Sequence, residues 1–255
     1  MADKPPPKPS KEEAAASTKP DTPGNPVQGC GDVVVVIDPG HGDRFIDEKG
    51  TRAKPDSGTV HPKKGTPVAI EKDIALEVSK AIRSNLTGKP HVKAVFLTRE
   101  ADITTPVPRF KWRTDFAVGH DARVFISIHV NDSPGAKGHI MYYYSPHPSP
   151  ANKEKPTPAE SAQKAFEAQS LMLSKAITAT LKAIPPNTRS VRGEVSRMGI
   201  VRYGATRTAK VAMLVETGFI ENDREKLVSS AAAIGKEIAE GIAKYLHENI
   251  NALCP

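Results

Sequence analysis

VVVVIDPGHG (33–42) is the stretch on which the fold turns. Four valines and Ile37 form an unbroken apolar run, which suits a strand covered on both faces, and Pro39-Gly40 stop it. Four further short apolar runs are strand candidates, VKAVFLT (92–98), RVFISIH (123–129), GHIMYYYS (138–145) and KVAMLVE (210–216), and three of the five are near-continuous. Segments of helical period separate and follow them. Ile74, Val78 and Ile82, with Ala81, recur on one face. Phe166, Leu173, Ile177, Leu181 and Ile184 form a second stripe. A last helix is read from about Asp223, with Leu227, Ile234, Ile238, Ile242, Tyr245 and Leu246 on one side. Strands alternating with helices predict a single α/β domain with a mainly parallel, twisted sheet and helices on both faces. No internal repeat is present.

The chain has 255 residues with 36 Lys+Arg against 29 Asp+Glu, a net charge of +7. That length buries a core large enough to fold unaided. No apolar run approaches the ~18 residues of a membrane span, and 38% hydrophobic content with 25% charge excludes collagen-like and wholly disordered classes. Residues 1–29 hold seven prolines, no aromatic residue and Val27 as their one large aliphatic, so they are expected to be a disordered segment ahead of a domain spanning 30–255. Four lysines there balance four acidic residues, which places the positive excess on the folded part. The N-terminus lacks the apolar h-region of a signal peptide. Residues 42–70 and the proline-rich 145–159 read as long surface loops near the site.

In open α/β sheets, ligands bind beyond the carboxyl ends of the strands. Here VVVVID runs into His41, RVFISI ends in His129 and KVAMLV ends in Glu216, while Glu71 opens the helix whose stripe begins at Ile74. Two cysteines cannot build a multi-cysteine metal site, so any metal falls to histidines and carboxylates. His, His and Glu suit Zn2+, and three protein ligands with an open fourth position define a catalytic site. Such an ion acidifies water and polarises a carbonyl, which is what amide hydrolysis requires, and a carboxylate off the metal can carry the proton. Each residue alone has a bland alternative: His41 as a turn residue, His129 as a core histidine, Glu71 as a first-turn carboxylate favoured by the helix dipole. Glu216 resists one, because a carboxylate ending an apolar strand is desolvated unless paired or in a cleft. Which glutamate binds metal is open at this level.

The blocks VVIDPGHG, EKDIAL, FLTRE, FISIHVND and MLVETGFIEND, in this order over residues 32–247, resemble the zinc-dependent N-acetylmuramoyl-L-alanine amidases of the amidase_3 type. The resemblance implies that His41, Glu71 and His129 bind zinc and that Glu216 is the catalytic carboxylate. It implies cleavage of the amide between the lactyl group of N-acetylmuramic acid and L-alanine of the stem peptide, with peptidoglycan as substrate. The stretch between His41 and Glu71 is longer than usual for the family and carries a basic insertion around Lys49–Lys64. The interval after YYY, which in division-associated members holds a helix covering the zinc, here has only the 145–159 loop before the next helix, so no self-inhibitory helix is expected. A basic surface suits an anionic wall polymer. No nucleic-acid motif accompanies it, and Tyr142–Tyr144 read as packing residues. The runner-up functions are a zinc carboxypeptidase-like hydrolase and a non-catalytic cell-wall-binding module.

Arg99 and Arg113 are read either as cations for stem-peptide carboxylates or as structural ion pairs. His61, His91, His120, His139, His147 and His247 are expected to be solvated. Cys30 and Cys254 bracket the domain, and a disulfide between them would add roughly 4–5 kcal/mol on the chain-entropy model. A monomer in the periplasm or outside the cell is expected, with its secretion signal absent from this chain.

Overall fold

The computed structural model describes residues 31–46, 52–108, 110–145, 166–194 and 211–253. The proline-rich segment 1–29, most of the 145–159 loop, His147 and the Cys30–Cys254 pair lie outside the described residues.

A six-stranded sheet forms the centre. Its strands are β1 (Val33–Pro39), β6 (Val92–Leu97), β8 (Ala122–Asn131), β9 (His139–Tyr144), β10 (Pro186–Glu194) and β11 (Val211–Phe219), in the order β10-β9-β11-β8-β1-β6. β6, β1, β8 and β11 run parallel; β9 joins β11 antiparallel, and β10 runs parallel to β9. All five apolar runs became strands. β10 was not legible as one: PNTRSVRGE has no apolar run, and at this edge of the sheet none of residues 186–193 is fully buried.

Five short strands lie outside this sheet. β2 (Arg44–Ile46), β3 (Arg52–Pro55) and β7 (Pro106–Pro108) make one small sheet, and β4 (Val60–His61) pairs with β5 (Ala69–Ile70). The loop read over 42–70 therefore contains its own paired backbone.

Period-2 alternation sends the central strands into two cores. On one face Val35, Ile37, Ile126, Ile128, Met213 and Val215 pack with α1 (Glu71–Leu86), α3 (Glu167–Thr180) and α5 (Ala231–Asn249). On the other, Val36, Phe125, Tyr142, Tyr144 and Leu214 meet Ala117 of α2 (Lys111–Gly119), with Phe110 and Phe116 alongside. Helices thus cover both faces. Gly235 lets α5 press on α1, since a Cβ there would lie 2.5 Å from both Ala81 Cβ and the Val78 carbonyl oxygen.

Two helix boundaries differ from the periodic reading. α3 ends at Thr180, and Leu181 leaves helical geometry with ψ 99°, although Leu181 and Ile184 stay fully buried. The last helix is two: α4 (Arg224–Ser229) and α5 meet at Ser230, whose φ of −120° interrupts the stripe without exposing it. An apolar stripe reports burial, and burial continues past a helix end.

Candidate metal centre

β1 stops at Pro39, and its chain turns through His41 in left-handed geometry, φ 58°. Such a backbone is costly for a non-glycine residue and persists only where surroundings impose it. Two buried guanidinium groups do so. Arg113 donates to the carbonyls of Pro39 (2.9 Å) and His41 (2.8 Å) and pairs with Asp38, itself held by Thr98 and Ser127. Arg99 donates to the carbonyls of Pro39 (3.0 Å), Gly40 (2.9 Å) and Lys72 (2.7 Å). Because Lys72 follows Glu71, Arg99 ties the His41 turn to the start of α1. Of the two readings for these arginines, the buried structural one fits: they are 3% and 4% exposed, Arg99 bonding backbone carbonyls through Nε and Nη2 and Arg113 bonding carbonyls and pairing with Asp38 and Asp43.

Helix α1 starts without a side-chain cap. Its first free N–H groups are met by the preceding loop, Glu71 N–H donating to Thr59 O (2.9 Å) and Lys72 N–H to Ser57 O (3.2 Å). The same loop fixes the Glu71 carboxylate: Oε2 accepts the Thr59 N–H (2.8 Å) and Oε1 the Val130 N–H (3.0 Å). Gly58, with φ +65°, makes this approach possible, since a Cβ there would sit 2.5 Å from Glu71 Oε2 and 2.7 Å from His41 Cδ2.

His129, near the end of β8, brings Nδ1 to 2.9 Å from Glu71 Oε1, and His41 Nε2 lies 3.1 Å from the same oxygen. The two imidazoles meet edge to face, centroids 4.9 Å apart. One ligand atom from each of His41, Glu71 and His129 lies within 4.8 Å of the others. Around a tetrahedral Zn2+ with bonds near ~2.1 Å, ligand atoms stand about 3.4 Å apart. The donor chemistry therefore fits, and the ring-to-carboxylate gaps need open by only a few tenths of an ångström.

Glu216 sits in register with His129 on the adjoining strand β11, so both side chains share a face. It is 8% exposed, and its Oε2 has no hydrogen-bond partner among the described residues. Burial, reinforced by the nearby Glu71 charge and partly offset by His41, pushes its pKa up to about 8. Burial also disfavours a charged His41, but Asp56 and Glu71 outweigh it and raise that imidazole to about 9. Burial likewise opposes the Glu71 carboxylate, yet His129 and His41 hold it well below its usual range. The metal-free triad thus binds a proton where a cation fits.

All four residues singled out in the sequence converge. Asp56 was missed. It accepts from His41 Nδ1 at 2.8 Å and from the Gly58 N–H at 3.1 Å, an Asx turn that Asp-Ser-Gly in a loop signals only weakly. His139, expected to be solvated, is fully buried, with Nδ1 2.7 Å from the Ile184 carbonyl oxygen.

A family model described as N-acetylmuramoyl-L-alanine amidase, Amidase_3, matches residues 35–247. The endolysin of Bacillus phage SPP1 is 29% identical over 181 residues, which are 71% of this chain and 58% of the endolysin. The chain therefore spans little more than half of that relative. Among solved structures, the catalytic domain of CwlV from Bacillus (Paenibacillus) polymyxa var. colistinus is 26% identical with a TM-score of 0.56, covering 86% of this chain and 99% of that one. AmiC2 of Nostoc punctiforme is 25% identical, TM-score 0.58, with 87% and 99% covered. Ami1 of Mycobacterium smegmatis, at 22% identity and TM-score 0.62 over 86% and 99%, shares the fold.

Proposed function

Because the chain belongs to the Amidase_3 family of N-acetylmuramoyl-L-alanine amidases, we propose that it hydrolyses the amide between the muramic acid lactyl group and L-alanine of peptidoglycan stem peptides. The convergence of His41, Glu71 and His129 beside a buried Glu216, whose Oε2 has no hydrogen-bond partner among the described residues, carries this reading. Residues 30–255 are the catalytic unit, and the three converging side chains hold the ion, read as Zn2+. When bound, Zn2+ supplies Lewis-acid polarisation of an amide carbonyl and lowers the pKa of water toward ~7.

Glu216 carries the proton. Its carboxylate removes one from the attacking water and delivers it to the leaving nitrogen as the C–N bond breaks, so the products are a lactyl carboxylate and a free alanine amine. A carboxyl that burial holds near neutrality is suited to both halves of that transfer. Glu71 cannot swing into this role, because a backbone N–H holds each of its oxygens. Arg99 and Arg113 keep His41 and the start of α1 in fixed relation.

The enzyme works without a self-inhibitory helix. Tyr143 is in register with Met213, three residues before Glu216, so β9 runs away from the site toward Tyr144, and in sequence only the proline-rich 145–159 stretch precedes the next helical stripe. Among the described residues no helix is long and apolar enough to cross a membrane. The net charge of +7 suits a monomer working on an anionic wall in the periplasm or outside the cell, and no nucleic-acid role is assigned.

The test is mass spectrometry of digested sacculi. The expected products are intact stem peptides with a free alanine amine, formed without any activator, while Glu216→Ala retains zinc and forms none. Cleavage within the stem peptide, or silence until a second protein is added, would contradict the reading.

A further inference from the structure

We propose that Asp56 is the positioning residue of the metal centre: it accepts the Nδ1–H of His41 and thereby commits the opposite ring nitrogen, Nε2, to the ion. This rests on the metal reading above and assigns a role to the long loop ahead of Glu71.

A neutral imidazole has one protonated nitrogen and one lone pair, so its partner at one nitrogen decides what the other can do. Asp56 Oδ1 stands 2.8 Å from Nδ1, and a carboxylate accepts there and cannot donate. The free lone pair is then at Nε2, the atom 3.1 Å from Glu71 Oε1 and facing the other ligands. A carboxylate behind a metal-bound histidine also raises the ring's donor strength. Two negative groups thus answer a divalent ion, Glu71 directly and Asp56 through the ring.

Asp56 is itself held where this requires. Its N–H donates to Asp43 O (2.8 Å) and its carbonyl accepts the Gly42 N–H (2.7 Å), a two-way tie to the residues that follow His41. Its carboxylate also accepts the Gly58 N–H, closing the turn that brings Thr59 N–H to Glu71. Residues 56–59 therefore touch two of the three ligands, and the loop is part of the site's frame.

The experiment compares the full chain with Asp56→Asn, Asp56→Ala and His41→Ala, measuring Zn2+ affinity by chelator competition, the visible spectrum of the Co2+-loaded protein and metal-free thermal unfolding. Loss of an outer-shell partner weakens metal binding by about 10–100-fold. Asp56→Asn keeps an acceptor without the charge and should lose about 10-fold while still unfolding cooperatively without metal; Asp56→Ala should lose more. Both should shift the cobalt spectrum, and turnover should return at saturating Zn2+ with KM little altered. Zn2+ affinities within twofold of wild type and an unchanged spectrum in both Asp56 variants, alongside loss in His41→Ala, would overturn this inference alone. Absent binding by wild type, or binding that survives His41→Ala, would remove the metal reading and this inference together.

Discussion

Replacing Glu216 with glutamine should end turnover and, in the metal-free protein, raise stability in alkali. The carboxyl is 8% exposed, and burial with the neighbouring Glu71 charge lifts its pKa from 4.5 to about 8. At about 1.4 kcal/mol per pH unit, that difference amounts to about 5 kcal/mol, and a shift half as large still gives about 2 kcal/mol. The folded state prefers the protonated carboxyl, so its contribution to stability is complete below pH 4.5 and is lost as pH rises toward 8. Glutamine matches the neutral acid in shape and cannot ionise. Urea unfolding in the presence of chelator should therefore give matching stabilities for wild type and Glu216→Gln near pH 4.5, and a gap that opens in favour of the variant and levels off above pH 8. His41 titrates in both proteins and largely cancels from the difference. Saturating Zn2+ should narrow the gap, because a cation favours the carboxylate. Parallel curves across the range would refute the reasoning: Glu216 would then be ionised in the folded protein at no cost, and burial would not be preparing it to hold a proton.

Three further outcomes follow from the same geometry. Chelation should abolish turnover and Zn2+ restore it, with Zn2+ at 100 times its Kd raising metal-free stability by about 2.7 kcal/mol in a thermal melt. Gly58→Ala places a methyl 2.5 Å from Glu71 Oε2 on a left-handed backbone, so zinc affinity by chelator competition should fall at least about tenfold. Arg113→Leu leaves Asp38 charged and buried and frees the His41 carbonyl, which should cost about 3–5 kcal/mol in urea unfolding.

How far the sequence carries the fold depends on where each element sits. β1, β8 and β11 are interior strands buried on both faces, so their side chains are apolar up to the polar residues at the site end, such as Asp38, Ser127 and Glu216, and the runs announce themselves. β10 pairs on one side only and keeps polar residues such as Thr188 and Arg189 exposed, so its composition is that of a loop. The stripe from Leu227 to Leu246 hides the break at Ser230, because both helices present the same buried side to α1 and the sheet.

The site divides along the same line. His41, His129 and Glu216 stand on or just past apolar strands, and Glu71 opens an amphipathic helix, so local pattern places each of them at one edge of one sheet. Asp56, Arg99 and Arg113 act through chain closure across distances that no local pattern encodes: Asp56 binds a ring 15 residues away, and Arg113 a carbonyl 72 residues away. Polar groups that would carry chemistry on a surface become, once buried, the partners that hold a strained turn in place. Burial distinguishes the two uses: a guanidinium 3–4% exposed that donates to the carbonyls of residues 39–41 is turned toward the protein's own backbone and away from a substrate's carboxylate. Chemistry at this sheet edge is therefore encoded where strands end, and its alignment is encoded in which loops those ends bind.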